Sequence, residues 1–325
     1  MAKVRFGSFV PQGWTMDLVD VPDPVEKYET MSRCALEAER AGFDSIWVFD
    51  HFHTVPRPVP EAVFECWTSM AALARDTSTV RLGQMATCNS YRPPALLAKM
   101  ASCVDVLSHG RLIFGIGAGW YQHEYEAYGF EYGDAPGRLR KLREAIHVLQ
   151  AMWTQEEATF EGRYYQVRGA INEPKPVQRP HPPLWIGGGG ERVTLKLVAQ
   201  HGDACNVGGS PEELRHKLEV LRGHCETVGR DYDAITKSTN ITVILGDQAE
   251  VDRIVDMRAR QTGAGEDVVR QALATWYAGE PEAVAERVRV LIDLGVDYVV
   301  IGVPNAFEGG AIQRVAEELL PLLGT

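Results

Sequence analysis

The chain has 325 residues, of which 45% are hydrophobic and 24% are charged. These proportions are close to those of an average globular protein, so they exclude a disordered, collagen-like or coiled-coil chain. The 44 acidic and 33 basic residues give a net charge of −11, which argues against nucleic acid or an anionic membrane as the main partner. Because the sequence lacks a long apolar run, a secretion signal and a CxxC motif, we expect a cytoplasmic protein with reduced cysteines.

Strand and helix patterns alternate along almost the whole chain. Apolar strands are predicted over residues 4–10, 45–49, 80–87, 112–117, 184–187, 203–207, 237–245 and 298–303. Helical periodicity follows each of them, over residues 24–41, 64–76, 93–108, 136–153, 191–201, 211–228, 249–276 (as one or two helices), 281–294 and 311–322.

Short strands that are apolar on both faces are typical of a parallel sheet. Eight strand–helix units predict an α/β fold, a (β/α)8 TIM barrel, as a single domain over residues 1–325. An open doubly wound sheet is the alternative, and the lack of GxGxxG after the first strand disfavours it. A bare barrel takes about 250 residues, which leaves roughly 75 for insertions. We expect these in segments 54–60, 120–135 and 154–183 and before residue 279, where several would wall a pocket at the C-terminal face.

The fifth and sixth predicted strands both end in glycines. Gly187–Gly190 lead directly into the helix predicted from Glu191, and Gly208 and Gly209 precede the next helix. Glycine lets backbone N–H groups approach a ligand closely, and a helix N-terminus favours an anion. Two adjacent turns of this kind predict a phosphate cradle, with two tight turns that bind no ligand as the alternative.

His51 follows Asp50 at the end of the second strand, which is where a barrel carries its chemistry. An imidazole there can donate or accept a proton near neutral pH, whereas the alternative is a hydrogen-bonded structural histidine. His51 and His53 also suggest a metal site, but strands five, six and eight end without further ligands, so we expect no metal. A Schiff-base mechanism is disfavoured because Lys237 lies at the start of its strand.

Several segments, taken in order, carry a resemblance to a known family. They are residues 41–52 (AGFDSIWVFDHF), 92–99 (RPPALLAK), 107–112 (LSHGRL), 115–120 (GIGAGW) with Glu124, 183–190 (PLWIGGGG), and 279–285 with 294–297. In this order the segments resemble the luciferase-like monooxygenase superfamily, in particular its coenzyme F420-dependent, deazaflavin-binding branch.

The resemblance implies a TIM barrel, usually a homodimer, that binds a flavin-type ring at the C-terminal strand ends. It makes His51 the candidate proton relay. It also implies a bulge in strand three, often with a non-proline cis peptide, at Gln84-Met85-Ala86. The cofactor-binding residues that it implies are Asp50, Gln84, Met85, Thr87, Asn89, Trp120, His123, Gly188, Gly189, Gly190, Arg192, Val193 and Gly208.

The sequence departs at one position from the sugar-phosphate dehydrogenases of this branch. They place a glutamate directly after the glycines of the fourth strand, where this chain has Trp120. Together with Trp14 and Tyr121, this tryptophan leads us to expect a more aromatic pocket. We therefore expect an apolar or aromatic substrate rather than a sugar phosphate.

Three functions are compatible with the resemblance. The first is an oxidoreductase that transfers hydride between coenzyme F420 and a small-molecule substrate, with His51 handling the matching proton. The second keeps the fold but uses FMN and oxygen as a monooxygenase. The third is a non-catalytic protein that binds a flavin or deazaflavin. The Asp50-His51 pair favours the first.

Overall fold

The computed structural model describes residues 3–324. Its strands, in chain order, are β1 (Arg5–Phe9), β2 (Ser45–Val48), β3 (Arg81–Gln84), β4 (Thr87–Cys88), β5 (Leu112–Gly117), β6 (Glu157–Glu161), β7 (Gln166–Ile171), β8 (Leu184–Gly187), β9 (Ala204–Asn206), β10 (Thr236–Leu245), β11 (Tyr277–Gly279) and β12 (Tyr298–Gly302). Its α-helices are α1 (Pro24–Arg40), α2 (Cys66–Asp76), α3 (Pro94–Leu107), α4 (Gln122–Ala127), α5 (Ala135–Thr154), α6 (Thr194–His201), α7 (Pro211–Val228), α8 (Gln248–Thr262), α9 (Glu266–Leu273), α10 (Pro281–Asp293) and α11 (Ala311–Arg314).

The chain forms two compact units. The first comprises the chain up to Glu65, Gly208–Arg215 and the chain from Lys237 onward. Its strands run parallel in the order β11-β10-β12-β1-β2. In this sheet Gly7 of β1 aligns with Val300 of β12 on one side and with Ser45 of β2 on the other.

The second unit comprises Cys66–Val207 and His216–Thr236. Its parallel strands follow the order β3-β5-β8-β9, and β4 also pairs with β5. The antiparallel hairpin β6-β7 lies within the insertion expected after residue 154. Parallel strands followed by helices in both units are those of a (β/α)8 barrel, so the predicted fold class is confirmed. The expectation of a single domain over residues 1–325 stays a prediction.

The third predicted strand is broken into β3 and β4, which corrects the prediction of one continuous strand. The one or two helices predicted over residues 249–276 are two, α8 and α9, and they are followed by the short strand β11, which was not predicted. The helix expected over residues 311–322 is α-helical only over Ala311–Arg314 and ends in a 3₁₀ turn, Leu320–Leu323, that contains Pro321. Proline has no N–H to donate, so the α-helical hydrogen bonding cannot continue there.

Aspartates cap three of the longer helices. The Asp23 carboxylate accepts from the N–H groups of Val25 and Glu26 at the start of α1. Asp134 and Asp247 cap α5 and α8 in the same way. Each cap satisfies N–H groups that the helix itself leaves unpaired, which fixes where these helices begin.

Arg111 cross-links the start of β5 to the ends of the surrounding elements. Its side chain is buried, and its guanidinium donates to the carbonyl oxygens of Ser108, Val80, Ala74 and Thr77 and to the Thr77 hydroxyl, over 2.6–3.1 Å. A single charged group thus satisfies four carbonyl groups that would otherwise lie unpaired in the interior.

We expect Arg111→Met to lower the free energy of unfolding by about 3 kcal/mol, because these buried acceptors lose their donor. Arg168→Met is the matched control, since that side chain is 73% exposed, and its effect should stay within about 0.5 kcal/mol. Urea denaturation of both variants measures the difference. An equal effect of the two substitutions would contradict the cross-linking role.

Candidate functional site

The break in the third barrel strand lies at the peptide bond between Met85 and Ala86, which is cis. The cis bond expected in this segment is therefore confirmed. The neighbouring strand β5 passes so close that a Cβ atom on Gly115 would lie 1.8 Å from the carbonyl oxygen of Gln84. Because only glycine fits at this position, Gly115 permits the close packing of the two backbones.

Three side chains of this interrupted strand are buried, and each has a polar atom with no hydrogen-bond partner within residues 3–324. These atoms are Nε2 of Gln84, Oγ1 of Thr87 and Oδ1 of Asn89. Gln84 is held at its other end by the N–H of Gly115, and Asn89 donates to the Tyr165 hydroxyl at 3.2 Å. An unpaired buried polar atom costs about 1–3 kcal/mol. Three of them on one segment indicate a place prepared for a polar ligand.

The strands next to this segment end at the same edge. Thr87 of β4 aligns with Ile116 of β5, which aligns with Ile186 of β8. A Cβ atom on Gly187 would lie 3.3 Å from the Cβ of Ala86. The second unit therefore brings the candidate residues Gln84–Asn89 and the glycine loop after β8 together.

The glycine loop presents free backbone donors. Within the described part of the chain, the N–H groups of Gly189, Gly190 and Glu191 donate no hydrogen bond, whereas that of Gly188 donates to the carbonyl of Asn206 at 3.1 Å. Three adjacent N–H groups are thus available to an anion. Among the glycines expected to bind phosphate, Gly188 already donates its N–H to β9, so this N–H is not available to a phosphate.

The helix after the glycines begins later than expected. The sequence suggested a start at Glu191, but α6 begins at Thr194. Residues 191–193 form a turn, and the carbonyl oxygen of Gly190 accepts from the N–H of Leu195 at 3.0 Å. Arg192 and Val193 therefore lie in this exposed turn rather than in the first turn of the helix.

A cation that the sequence did not reveal reaches the glycine loop. The ammonium nitrogen of Lys217, on α7, lies 3.0 Å from the position that a Cβ atom on Gly189 would occupy. No motif marks this lysine. Its place on the face of α7 toward the loop becomes visible only when the helix is seen in three dimensions.

The loop after β5 carries the remaining candidates of this unit. Trp120 is 60% exposed and stacks on Tyr121 with 5.2 Å between the ring centroids. His123 is also exposed, on α4, and its ring lies 5.8 Å from that of Tyr121. These side chains form an aromatic surface near the end of β5.

The first unit holds Asp50 and His51 directly after β2, and both side chains are buried. The imidazole of His51 lies parallel to the indole of Trp14, with 4.2 Å between centroids and 4° between planes. Trp14 in turn contacts Phe49, which stacks on Phe9, each at 4.4 Å. This row of four rings fixes the plane of the imidazole.

A cavity of about 300 Å³ in the same unit opens beside this aromatic row. Its walls come mainly from the ends of β1 and β12 and the middle of β10, and they are largely aromatic or aliphatic. The aromatic and aliphatic side chains are Phe9, Val10, Trp14, Phe49, Ile241, Trp276, Val303, Ala306 and Phe307. A volume near 300 Å³ is at the lower end of the range for small-molecule sites.

Asp17 and Arg258 place a carboxyl group and a guanidinium group at the cavity wall. Burial raises the pKa of Asp17 above its ordinary value, although Arg258 acts in the opposite direction. The Asp17 carboxylate accepts from the N–H of Gly13 at 2.7 Å, which holds the loop that carries Trp14. Arg258 donates to the carbonyl oxygen of Thr15 in the same loop. Both side chains therefore hold the loop that carries Trp14.

Trp276 and Phe307 line the cavity but were not predicted from the sequence. Trp276 directly precedes β11, and Phe307 follows β12. Phe307 lies just after the predicted strand 298–303, whereas Trp276 lies at the end of a predicted helix, so no single sequence pattern marks both. The other candidate in this unit is Gly208, which is exposed, and a Cβ atom on it would meet no atom within 4 Å.

In the described residues, no group of three or more His, Cys, Asp or Glu side chains could hold a metal ion. The helices of residues 3–324 include none that is long and apolar enough to cross a membrane.

Comparison with known sequences identifies relatives over nearly the whole chain. Residues 4–262 match the family model described as luciferase-like monooxygenase. The F420-dependent glucose-6-phosphate dehydrogenase of Amycolatopsis mediterranei is 26% identical over 347 aligned positions, which cover 99% of each chain. An uncharacterised protein of Mycobacterium tuberculosis is 30% identical over 218 positions, covering 62% of this chain and 76% of its own.

Solved structures share the fold. An F420-dependent secondary alcohol dehydrogenase in complex with an F420-acetone adduct superimposes with a TM-score of 0.81 at 21% identity, over 99% of each chain. An EDTA monooxygenase from Chelativorans sp. BNC1 gives a TM-score of 0.82 at 18% identity, over 99% of this chain and 93% of its own.

Because the Thr87 hydroxyl has no partner within residues 3–324, its removal should affect stability much less than removal of the Thr77 hydroxyl. Thr87→Val should leave the free energy of unfolding of the ligand-free protein within about 0.5 kcal/mol of the parent, because no hydrogen bond is lost. Thr77→Val should lower it by about 2 kcal/mol, because the Thr77 hydroxyl accepts from Arg111 and donates to the carbonyl of Leu73. Urea denaturation measures both. A large loss for Thr87→Val would mean that this hydroxyl serves the fold.

Proposed function

Because the chain belongs to the luciferase-like monooxygenase family, we propose that it is an oxidoreductase that transfers hydride between coenzyme F420 and a small apolar or aromatic substrate. The observation that carries this proposal is the set of unpaired donors and acceptors at one strand edge. The relatives named as F420-dependent dehydrogenases, matched along almost their full length, support the choice of cofactor.

The residues of the second unit fit the polar part of such a cofactor. Gln84, Thr87 and Asn89 offer one donor and two acceptors to a ring bearing N–H and C=O groups, beside the bulge at Met85. The N–H groups of Gly189 and Gly190 suit a phosphate.

Cations stand close to this phosphate position. Arg192 follows the glycine loop, and the ammonium group of Lys217 reaches Gly189. Within the proposal, Val193, Gly208, Trp120 and His123 line the remainder of the cofactor, and Asp50 binds it beside the relay residue. Backbone donors together with a local cation are the usual means of holding a phosphate in a barrel.

F420, when bound, supplies a carbon centre that carries hydride and reacts poorly with oxygen. His51 gives the substrate the matching proton, or removes it, at an imidazole nitrogen. The parallel stacking on Trp14 keeps the ring from rotating, so the nitrogen atoms stay in fixed positions. The aromatic walls of the cavity exclude water from the reacting atoms.

The proposed substrate class rests on the walls of the cavity in the first unit. Phe9, Phe49, Trp276 and Phe307 give it an aromatic lining, and about 300 Å³ suits a compact molecule. Arg258 also lies at the wall. Its guanidinium group interacts with the nearby Asp17 carboxyl group and donates to the carbonyl oxygen of Thr15, so it is already engaged within the protein. The wall also holds the polar side chains of Thr15, Asn240 and Thr242, but the described lining has no cation besides Arg258 for a phosphate, so an apolar or aromatic substrate fits better than a sugar phosphate.

We also propose that the protein acts in the cytoplasm as a homodimer, without nucleic acid or a membrane as partner. All six cysteines are free thiols, which fits a reducing compartment. The net charge of −11 opposes binding to polyanions. The resemblance to dimeric family members supports the homodimer.

Titration with F420 and with FMN tests the choice of cofactor. We expect F420 to bind with micromolar affinity or tighter and FMN at least tenfold more weakly, and Thr87→Val to weaken F420 binding about tenfold by removing one hydrogen bond to a ligand. Fluorescence of each cofactor reports binding. Tighter binding of FMN, with oxygen consumption by its reduced form, would instead establish the monooxygenase alternative.

His51→Asn should lower turnover about 100-fold and leave the Kd for F420 within about threefold, because it removes the proton relay but keeps a polar side chain of similar size. Turnover is followed by the visible absorbance of F420, with apolar and aromatic carbonyl compounds or alcohols as substrates and glucose 6-phosphate for comparison. His53→Asn, two residues away, is the control and should change turnover less than twofold. Unchanged turnover in His51→Asn would exclude His51 as the relay.

A further inference from the structure

Asn89 stands directly after β4, and its side chain is fully buried. Its backbone N–H donates to the carbonyl oxygen of Gly117 on β5 at 3.0 Å, which fixes the main chain. Its side-chain nitrogen Nδ2 donates to the hydroxyl of Tyr165 at 3.2 Å, whereas Oδ1 has no partner within residues 3–324. Among the described residues, the Tyr165 hydroxyl is therefore the group that holds the amide of Asn89.

The hydrogen bond to Tyr165 decides what the Asn89 amide offers to a ligand. A primary amide carries a donor end and an acceptor end, and a half-turn about its Cβ–Cγ bond exchanges them. With Nδ2 engaged by Tyr165, Oδ1 is the end that has no partner in the described part of the chain. A buried acceptor without a partner is costly, so pairing it with an N–H or O–H group of a ligand is favourable. The ligand group beside Asn89 is therefore a donor.

Tyr165 does not belong to the barrel strands. It lies in the turn between β6 and β7, in the hairpin that follows α5. A hydrogen bond of 2.9 Å from the N–H of Gly162 to the carbonyl oxygen of Tyr165 closes this turn. The insertion thus reaches the strand-end site of the second unit with one hydroxyl group.

The carboxylate of Glu144, in the middle of α5, holds the turn. It accepts from the N–H groups of Arg163, Tyr164 and Tyr165 at 3.0, 2.7 and 3.1 Å. Hydrogen bonds to a charged acceptor are stronger than those between neutral groups. A Cβ atom on Gly162 would lie 2.4 Å from the Glu144 carboxylate, so glycine makes room for it. The carboxylate therefore fixes the backbone from which the Tyr165 side chain extends.

The Tyr165 hydroxyl keeps its proton at neutral pH. Burial raises the pKa of Tyr165, while the hydrogen bond with Asn89 lowers it and the charge of Glu144 raises it again. A neutral hydroxyl accepts the N–H of an amide without carrying a charge into the site. Replacing the tyrosine with phenylalanine therefore removes one hydrogen-bonding group and changes no charge.

Resting on the proposed function, we propose that Tyr165 is a positioning residue for the cofactor. Its hydroxyl holds the Asn89 amide with Oδ1 open to a donor group of the cofactor, and Glu144 holds Tyr165 through the backbone of the turn. Tyr165 acts on affinity through Asn89 and takes no part in hydride transfer. The hairpin, which is an insertion into the barrel, thereby completes the polar part of the cofactor site.

NMR spectroscopy of the ligand-free full chain, with isotope-labelled asparagine, tests the contact itself. The side-chain amide signals of Asn89 are identified by their loss in Asn89→Leu. Tyr165→Phe should shift these signals and speed their exchange with water, because the amide loses its acceptor. Tyr164→Phe is the matched control, since the neighbouring hydroxyl accepts from the exposed Arg140 at 2.9 Å instead, and it should leave the Asn89 signals in place. Unchanged Asn89 signals in Tyr165→Phe would refute the proposal.

Fluorescence titration with F420 measures the consequence for the site. We expect Tyr165→Phe to raise the Kd for F420 about fivefold, the effect of one hydrogen bond, and Tyr164→Phe to change it by less than about 1.5-fold. Glu144→Ala should raise the Kd about as much as Tyr165→Phe, because it releases the turn. Turnover at saturating F420 should stay within about twofold of the parent in Tyr165→Phe, since the hydride and proton steps do not involve this residue.

A double-mutant cycle separates positioning from a general structural role. Asn89→Leu should raise the Kd for F420 about tenfold. Adding Tyr165→Phe in that background should raise it further by less than about 1.5-fold, because the residue through which Tyr165 acts is gone. An additional fivefold weakening in the double variant would mean that Tyr165 acts independently of Asn89, and the positioning role would then be wrong.

The outcomes separate this proposal from the proposed function. If the parent binds F420 and Tyr165→Phe binds it equally well, the positioning proposal is wrong and the proposed function stands. If the parent does not bind F420, the proposed function is wrong and the positioning proposal falls with it, whatever the Asn89 signals show.

Discussion

The close approach of Gly115 to Gln84 is the constraint on which the candidate cofactor site depends. A Cβ atom on residue 115 would lie 1.8 Å from the Gln84 carbonyl oxygen, so any side chain there would push β5 away from the interrupted strand. With glycine, the strand can break at the cis bond between Met85 and Ala86 and resume at Thr87. The polar atoms that lack a partner within residues 3–324, on Gln84, Thr87 and Asn89, lie on either side of this break.

The two units supply different kinds of interaction to the proposed reaction. The second unit supplies unsatisfied polar atoms, whose pairing with a ligand recovers the free energy lost by burying them. The first unit supplies rigid aromatic surface, in which Trp14 restrains His51 and the buried carboxylate of Asp17 restrains Trp14 through its loop. Binding energy and geometric precision therefore come from separate sets of side chains, and a substitution in one set should leave the other intact.

The sequence predicted the barrel well because its strands are short, apolar and regularly followed by helices. Periodicity placed β5 and β8 at their observed ends, and the resemblance placed the cis bond. The features that the sequence did not predict are contacts between side chains from distant parts of the chain. The approach of Lys217 to Gly189, and the contribution of Trp276 and Phe307 to the cavity, have no local pattern. The later start of α6 reflects the hydrogen bond from the N–H of Leu195 to the carbonyl oxygen of Gly190. Helix propensity does not predict a helix boundary to within one or two residues.

Charge distribution explains how an acidic protein can bind an acidic cofactor. At a net charge of −11, the long-range field opposes the approach of an anion. Salt screens that field within about 8 Å at physiological ionic strength, so only charges close to the ligand determine its affinity. The glycine-loop N–H groups with Lys217, and Arg192 beyond them, are such short-range partners. The excess of acidic residues elsewhere then has little effect on affinity, while it discourages nucleic acids and other extended polyanions.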